Sequence, residues 1–140
     1  MGLDSKIQLT GKMSIEGNSL YSATRKIDSN KKSNAHNVDL NWTYSDKKYY
    51  LSLGAHDISK NFGLQSGYLP RDGISALAMS GGLNYYLKND FMKRIQPGMY
   101  NFVQYDKYNN QIEYLVKLSN RFFLTKNTFL KISGKLCTES

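Results

Sequence analysis

The stretch VDLNWTYSDKKYYLSLGAH, residues 38–56, decides how this chain folds. Val38, Leu40, Trp42 and Tyr44 alternate with Asp39, Asn41, Thr43 and Ser45, the period-two pattern of a strand with one apolar face. The turn SDKK reverses the chain, and Tyr49, Leu51, Leu53 and Ala55 then face opposite Tyr50, Ser52, Gly54 and His56. The polar side of this hairpin carries amides and hydroxyls more than charge.

The same alternation recurs outward in both directions. Ile7, Leu9, Gly11, Met13 and Ile15 predict one strand, followed by a polar stretch from Gly17 to about Ala35. Further strands are expected at Ile74 to Leu87, Pro97 to Tyr105, Ile112 to Leu124 and Phe129 to Leu136. DKYNN and TKNT read as turns. The fold class is therefore all-β, an antiparallel up-and-down sheet of about seven strands without a helix, in one segment spanning residues 1–140.

Composition narrows the setting. Tyr, Phe and Trp number 11, 6 and 1 against 2 Pro, a balance that favours strands over disorder. No apolar run of 18 residues occurs, which excludes a transmembrane helix. Met1 leads at once into GLDSKIQLTG, so no signal peptide is read there; an exported protein would have lost it from this sequence. Net charge is +8, but Lys31-Lys32, Lys47-Lys48 and Lys93-Arg94 gather in connections rather than along a stripe, so nucleic acid is not the expected partner. The single cysteine, Cys137, excludes an intrachain disulfide framework and a cysteine metal cluster.

Little chemistry is visible. His36 and His56 lack metal-ligand spacing, and Cys137 has no nearby His. His56 and Asp57 are adjacent in a strand and must point to opposite faces, which argues against a shared site. Gly81-Gly82 lies within a strand pattern, where glycines mark a bend or a close approach rather than a phosphate loop. Asn41-Trp42-Thr43 matches a glycosylation acceptor inside a strand and is read as chance. No catalytic residue, metal or cofactor is expected.

Two regularities point to a membrane. Connections alternate between long and short, and aromatics crowd beside the short ones: Trp42, Tyr44, Tyr49, Tyr50, Tyr85, Tyr86, Phe122, Phe123 and Phe129. With the short turns at one end, these residues would form a belt at one level, as in transmembrane barrels. The apolar face would meet lipid and the polar face would line a wet lumen. The alternative is a soluble β-sandwich or small β-barrel that binds a ligand.

The segment 57–74 breaks the alternation. Gly63 and Gly67 permit positive φ, Pro70 holds Leu69 extended, and Phe62, Tyr68 and Leu69 supply apolar anchors. Asp57, Phe62, Gly67, Tyr68, Leu69, Pro70 and Arg71 resemble a motif of Gram-negative outer-membrane β-barrel proteins of unknown function, found downstream of a carbohydrate-binding family 9-like domain. Where that family shows Asn-Pro-Glu, this chain has Gly63-Leu64-Gln65. The motif covers about 20 residues, and the flanking strands fit the family loosely.

The resemblance implies a fragment of a larger partial transmembrane barrel in the outer membrane of a Gram-negative bacterium. Its implied partners are membrane lipid, the remaining barrel strands and glycan. Some members of that family are hydrolases, but no acid/base pair here supports that activity. Seven strands are too few and odd for a single-chain bacterial barrel, and KLCTES lacks a terminal aromatic. Unpaired edges are expected at Ile7–Ile15 and Phe129–Leu136. Asp57, Phe62, Gly67, Tyr68, Arg71 and Asp72 are the candidate loop-ordering or mouth residues.

Overall fold

The structure, a computed structural model, describes residues 1–25, 32–62, 71–88, 90–125 and 128–139. The strands are β1 (Gly2–Thr10), β2 (Met13–Arg25), β3 (Lys32–Ser45), β4 (Tyr49–Ile58), β5 (Ile74–Leu83), β6 (Tyr85–Tyr86), β7 (Met92–Asp106), β8 (Gln111–Leu124) and β9 (Phe129–Glu139). They form one antiparallel up-and-down sheet of order β1-β2-β3-β4-β5-β7-β8-β9, with the two-residue β6 paired to β7. The sheet is not closed into a barrel: β1 and β9 are its edges.

The antiparallel up-and-down sheet is the expected one, with eight long strands and the short β6 where about seven were expected, and the reasons for the difference are physical. The expected single strand Ile7–Ile15 is a hairpin turning at Gly11-Lys12, with Ile7 opposite Ile15. Opposed residues in most of that hairpin sum to an even number, so the fold-back keeps the odd positions on one face. Alternation alone cannot tell such a hairpin from a continuous strand. The polar stretch after Gly17 is not a loop throughout: it lengthens β2 and β3, paired from Met13↔Tyr44 to Arg25↔Lys32. The expected strand Ile74–Leu87 breaks at Asn84, whose N–H bonds Lys48 O at 2.6 Å. Beyond this break β6 takes over beside β7, and β7 begins five residues earlier than expected. Pro97 sits in β7 just past the last β5–β7 pair, Gly82↔Gly98, where a missing N–H removes no bond to β5.

Exposure along β4 is inverted relative to a soluble protein. Leu51, Leu53 and Ala55 are exposed, whereas Ser52, Gly54 and His56 between them are half-buried. The sheet therefore curls around its polar face and turns its apolar face out. Leu77 is 64% exposed and Leu40 53%, and the buried apolar core among the described residues is Ala35, Ile58 and Phe62. The chain exposes 10442 Å². A compact monomer of 16.0 kDa would expose about 7,400 Å². The hydrophobic effect that organises a soluble β-domain is thus unsatisfied on one whole face.

Candidate functional site

Up-and-down order places the 11–12, 46–48, 87–91 and 125–128 connections at one end of the sheet, and the 59–73 connection with the four-residue 107–110 turn at the other. At the short-turn end, Lys12 Nζ meets Asp46 at 3.2 Å, and the Ser45 and Thr125 N–H groups bond Lys12 O and Phe91 O. The Lys47 N–H, and after it Lys12, hold the Asp46 carboxyl below its usual range. The Gly81-Gly82 pair marks close approaches: a Cβ on Gly81 would lie 2.8 Å from the Leu51 side chain and one on Gly82 2.7 Å from the Tyr50 ring, while one on Gly98, opposite Gly82, would lie 2.8 Å from the Tyr50 hydroxyl. Tyr50 therefore lies flat over two residues that have no side chain.

The opposite end gathers four of the expected site residues, though into two clusters rather than one. Asp57 stands on the outward face and binds Lys107 Nζ at 2.7 Å, His36 Nε2 at 2.7 Å and the Ser75 hydroxyl. Here the carboxylate lies between serine and imidazole, so His36 takes no proton from that hydroxyl. His56 points to the inner face and pairs with Asp39, which separates it from Asp57 as the strand alternation requires.

Arg71 forms the second cluster as a clasp. Its Nη2 reaches Asp106 at 2.7 Å and its Nη1 reaches Glu113 at 3.0 Å, which raises the guanidinium pKa further. Asp106 is 4% exposed and also accepts from the Tyr108 N–H at 2.7 Å and the Asn109 amide at 2.9 Å. Asp72 binds the Asn61 N–H at 2.8 Å and the Tyr108 hydroxyl at 3.0 Å. Phe62, 4% exposed, packs with Ala35 and Ile58, and with Leu20 and Ile74 at their rim, on the inner side of the sheet. Gly67 and Tyr68 lie outside the described residues, as do Gly63, Leu64, Gln65, Leu69 and Pro70.

The clasp's partners went unseen in the sequence. DKYNN read only as a turn, yet its Asp106, Lys107 and Tyr108 organise the whole end. Glu113, seven residues later, is aimed at Arg71 by the register of β8 on β7, where it opposes Gln104. Pairing register, not local pattern, brings these groups together.

The aromatic belt is also partly corrected. Tyr44, Tyr49, Tyr85 and Phe122 share the outward face, but the register places Tyr50, Tyr86, Phe123 and Phe129 on the inner one. A second outward set, Tyr21, Tyr105 and Tyr114, occupies the other end. Relative to the cross-strand row Tyr44–Leu51–Gly81–Met99–Leu118, Tyr49 stands two residues nearer the short turns and Phe122 four. In the other direction Tyr21 stands eight residues beyond its row partner, Tyr105 six and Tyr114 four.

Both rings thus slide by four residues on reaching β8, the upper over five strand steps and the lower over four. With about 3.4 Å per residue and about 4.8 Å between strands, the rings cross the strands at a tilt of roughly 30–35°. On β8 they are eight residues apart, about 27 Å along the strand and roughly 22 Å along the normal to the rings.

No protein-family model, curated protein or solved structure matches this chain.

Proposed function

We propose that this chain is a non-catalytic segment of an outer-membrane β-barrel, its apolar face in lipid and its polar face lining water. The observation that carries the reading is the inverted exposure of β4, with leucines out and serine, glycine and histidine sheltered. Two further measures support it. Transmembrane barrels tilt their strands by about 35–45° and carry an apolar band about 25 Å tall between aromatic girdles. The two rings here imply roughly 30–35° and 22 Å by the same geometry. A soluble sandwich would instead need a second sheet over the apolar face, and a tyrosine ring at each rim has no role in that packing.

In this reading the partners are membrane lipid and the further strand backbone that pairs with β1 and β9. The Asp57, Arg71 and Phe62 contacts order the mouth at the long-loop end. Glycan handling at the cell surface enters through the resemblance of residues 57–71, and the half-buried Ser52, Asn41 and Tyr50 of the inner face are hydroxyl and amide groups suited to it.

Trp42 tests the reading, because it is the only tryptophan and lies on the outward face between the rings. The full chain is refolded into phosphatidylcholine vesicles with and without brominated acyl chains. Strong quenching by acyl-chain bromine is the expected result. A cooperative, monodisperse monomer in detergent-free buffer with unquenched Trp42 would overturn it.

A further inference from the structure

The inner face is electrically uneven, and its basic part is assembled by register. Lys117 lies directly opposite Lys135, and Arg121 directly opposite Lys131, on adjacent strands β8 and β9. Like charges facing each other across a sheet destabilise it. Between the two rungs stands the neutral pair Ser119↔Ser133. Four residues separate the rungs, about 14 Å along the strands, while each rung spans about 5 Å.

None of these four cations meets a carboxylate within ion-pair distance among the described residues. Among the inner-face carboxylates whose side chains the structure describes, Glu16 is engaged by Lys6, Asp39 by His56, Glu113 and Asp106 by Arg71, and Asp4 by the Asn18 amide. Asp46, which shares a cleft with the rungs, is bridged by Lys12. That cleft is about 910 Å³ and is also lined by Tyr50, Tyr86, Tyr100 and Arg94. Arg94 is held with its guanidinium carbon 3.9 Å from the Phe123 ring centroid, and among the described residues it makes no ion pair with a carboxylate.

Four cations set in a rectangle by strand register, with no ion-paired carboxylate among the described residues, form a site for a ligand that carries several negative charges in line. We propose that the β8–β9 part of the inner face binds an extended polyanion, a linear chain bearing carboxylate or phosphate groups that bridge the two rungs. A single small anion would satisfy one rung and leave the other repelling. The tyrosines beside the rungs offer flat apolar surface to the backbone of such a chain. The proposal rests on the preceding reading, in which this face stays wet while the opposite face lies in lipid.

The test is titration calorimetry on the full chain refolded in dodecyl maltoside, with three probes: hexagalacturonate, inorganic polyphosphate and neutral maltohexaose. At least one polyanion is expected to bind, with an affinity that falls steeply with added salt, and maltohexaose is expected not to bind. The two polyanion arms distinguish a carboxylate-bearing from a phosphate-bearing ligand. K117Q/K135Q and R121Q/K131Q should each weaken binding by about tenfold or more, because each removes one charged rung.

K47Q/K48Q, which removes the same net charge from the exposed SDKK turn, should leave binding within about threefold. Removing a repelling rung should not lower the unfolding midpoint, which separates lost binding from lost folding. Equal weakening by the turn variant, equal binding of maltohexaose, or no polyanion binding at all overturns the proposal. Trp42 quenching of the same protein in the brominated phosphatidylcholine vesicles reports the membrane reading separately. Polyanion binding by an unquenched, soluble monomer would refute lipid insertion and retain the site.

Discussion

Leu53→Arg is the most searching perturbation of the outward face, with Leu83→Arg as its partner. The two leucines are almost equally exposed, 48% and 44%, so any account based on solvent contact alone assigns them similar costs. Their depths differ. Leu53 opposes Trp42 and Met79, about halfway between the two aromatic rings, whereas Leu83 opposes Tyr49 at the lower ring. An arginine on the lipid face of a barrel costs about 2–4 kcal/mol at the bilayer midplane and about 0–1 kcal/mol near the interface.

The expected difference between the variants is therefore roughly 2–3 kcal/mol, or about 30- to 150-fold in the folding equilibrium. Urea unfolding in phosphatidylcholine vesicles, followed by far-UV circular dichroism, measures both. Near-equal destabilisation would refute the depth argument. A cost below about 0.5 kcal/mol at Leu53 would refute lipid contact, because that is the scale of an ordinary surface change. A sandwich core would yield a third outcome, with both variants strongly destabilised in proportion to what covers each leucine.

Other outcomes follow from the two ends of the sheet. Arg71→Gln removes the clasp from Asp106 and Glu113. Because Arg71 is 42% exposed and Asp106 keeps its Tyr108 and Asn109 donors, the cost should be only about 1–2 kcal/mol. Faster amide exchange at Tyr108 and Asn109 would report it, and unchanged exchange would count against the clasp. Gly73→Ala should destabilise by at least about 1 kcal/mol in equilibrium unfolding, because φ is +67° and the new Cβ would lie 2.4 Å from the Tyr108 ring.

Asp46 offers a pH readout. Its folded pKa is depressed, chiefly by the Lys47 N–H and then by Lys12, so its contribution is present above the ordinary carboxylate range and lost as pH falls through the folded value. Carboxyl-carbon NMR should find Asp46 titrating low in the native chain and nearer the ordinary value in Lys12→Gln. An identical titration in both would remove Lys12 from the account.

Strand identity was legible wherever one face is apolar and the other is not, and the 38–56 hairpin lies in the fold where its alternation placed it. Three things were illegible, each for a definite reason. The β1–β2 turn preserves phase, so Ile7 and Ile15 read as one strand although they face each other across two. Hence the predicted edge Ile7–Ile15 reduces to β1 alone, while the predicted edge at Phe129–Leu136 coincides with β9.

The polar ends of β2 and β3 carry no apolar alternation, because they are held mainly by pairing with each other and only Leu20 and Ala35 reach the small core. The Arg71 contacts and the cationic rungs depend on which residue opposes which across strands 35 to 42 positions apart or on β8–β9 register, information no single window holds. Asp57, Phe62, Arg71 and Asp72 were found as individuals. Their division between an outward cluster and an inward clasp was not.

The sheet's edges set the strictest condition on the membrane reading. In hydrocarbon, an open row of N–H and C=O groups has no water to satisfy it, and lipid-exposed sheet edges do not occur there. Strands β1 and β9 run antiparallel to each other, since eight strands alternate in direction along the path between them. Direct pairing of the two is therefore topologically allowed, and so is insertion of any further even number of strands. Either closure joins the edges by the same antiparallel ladder. Insertion of an odd number would force a parallel pair and a long crossover, which up-and-down barrels avoid. The corrected count thus reverses the force of the odd strand number: eight long strands on one continuous path have the parity a membrane barrel requires.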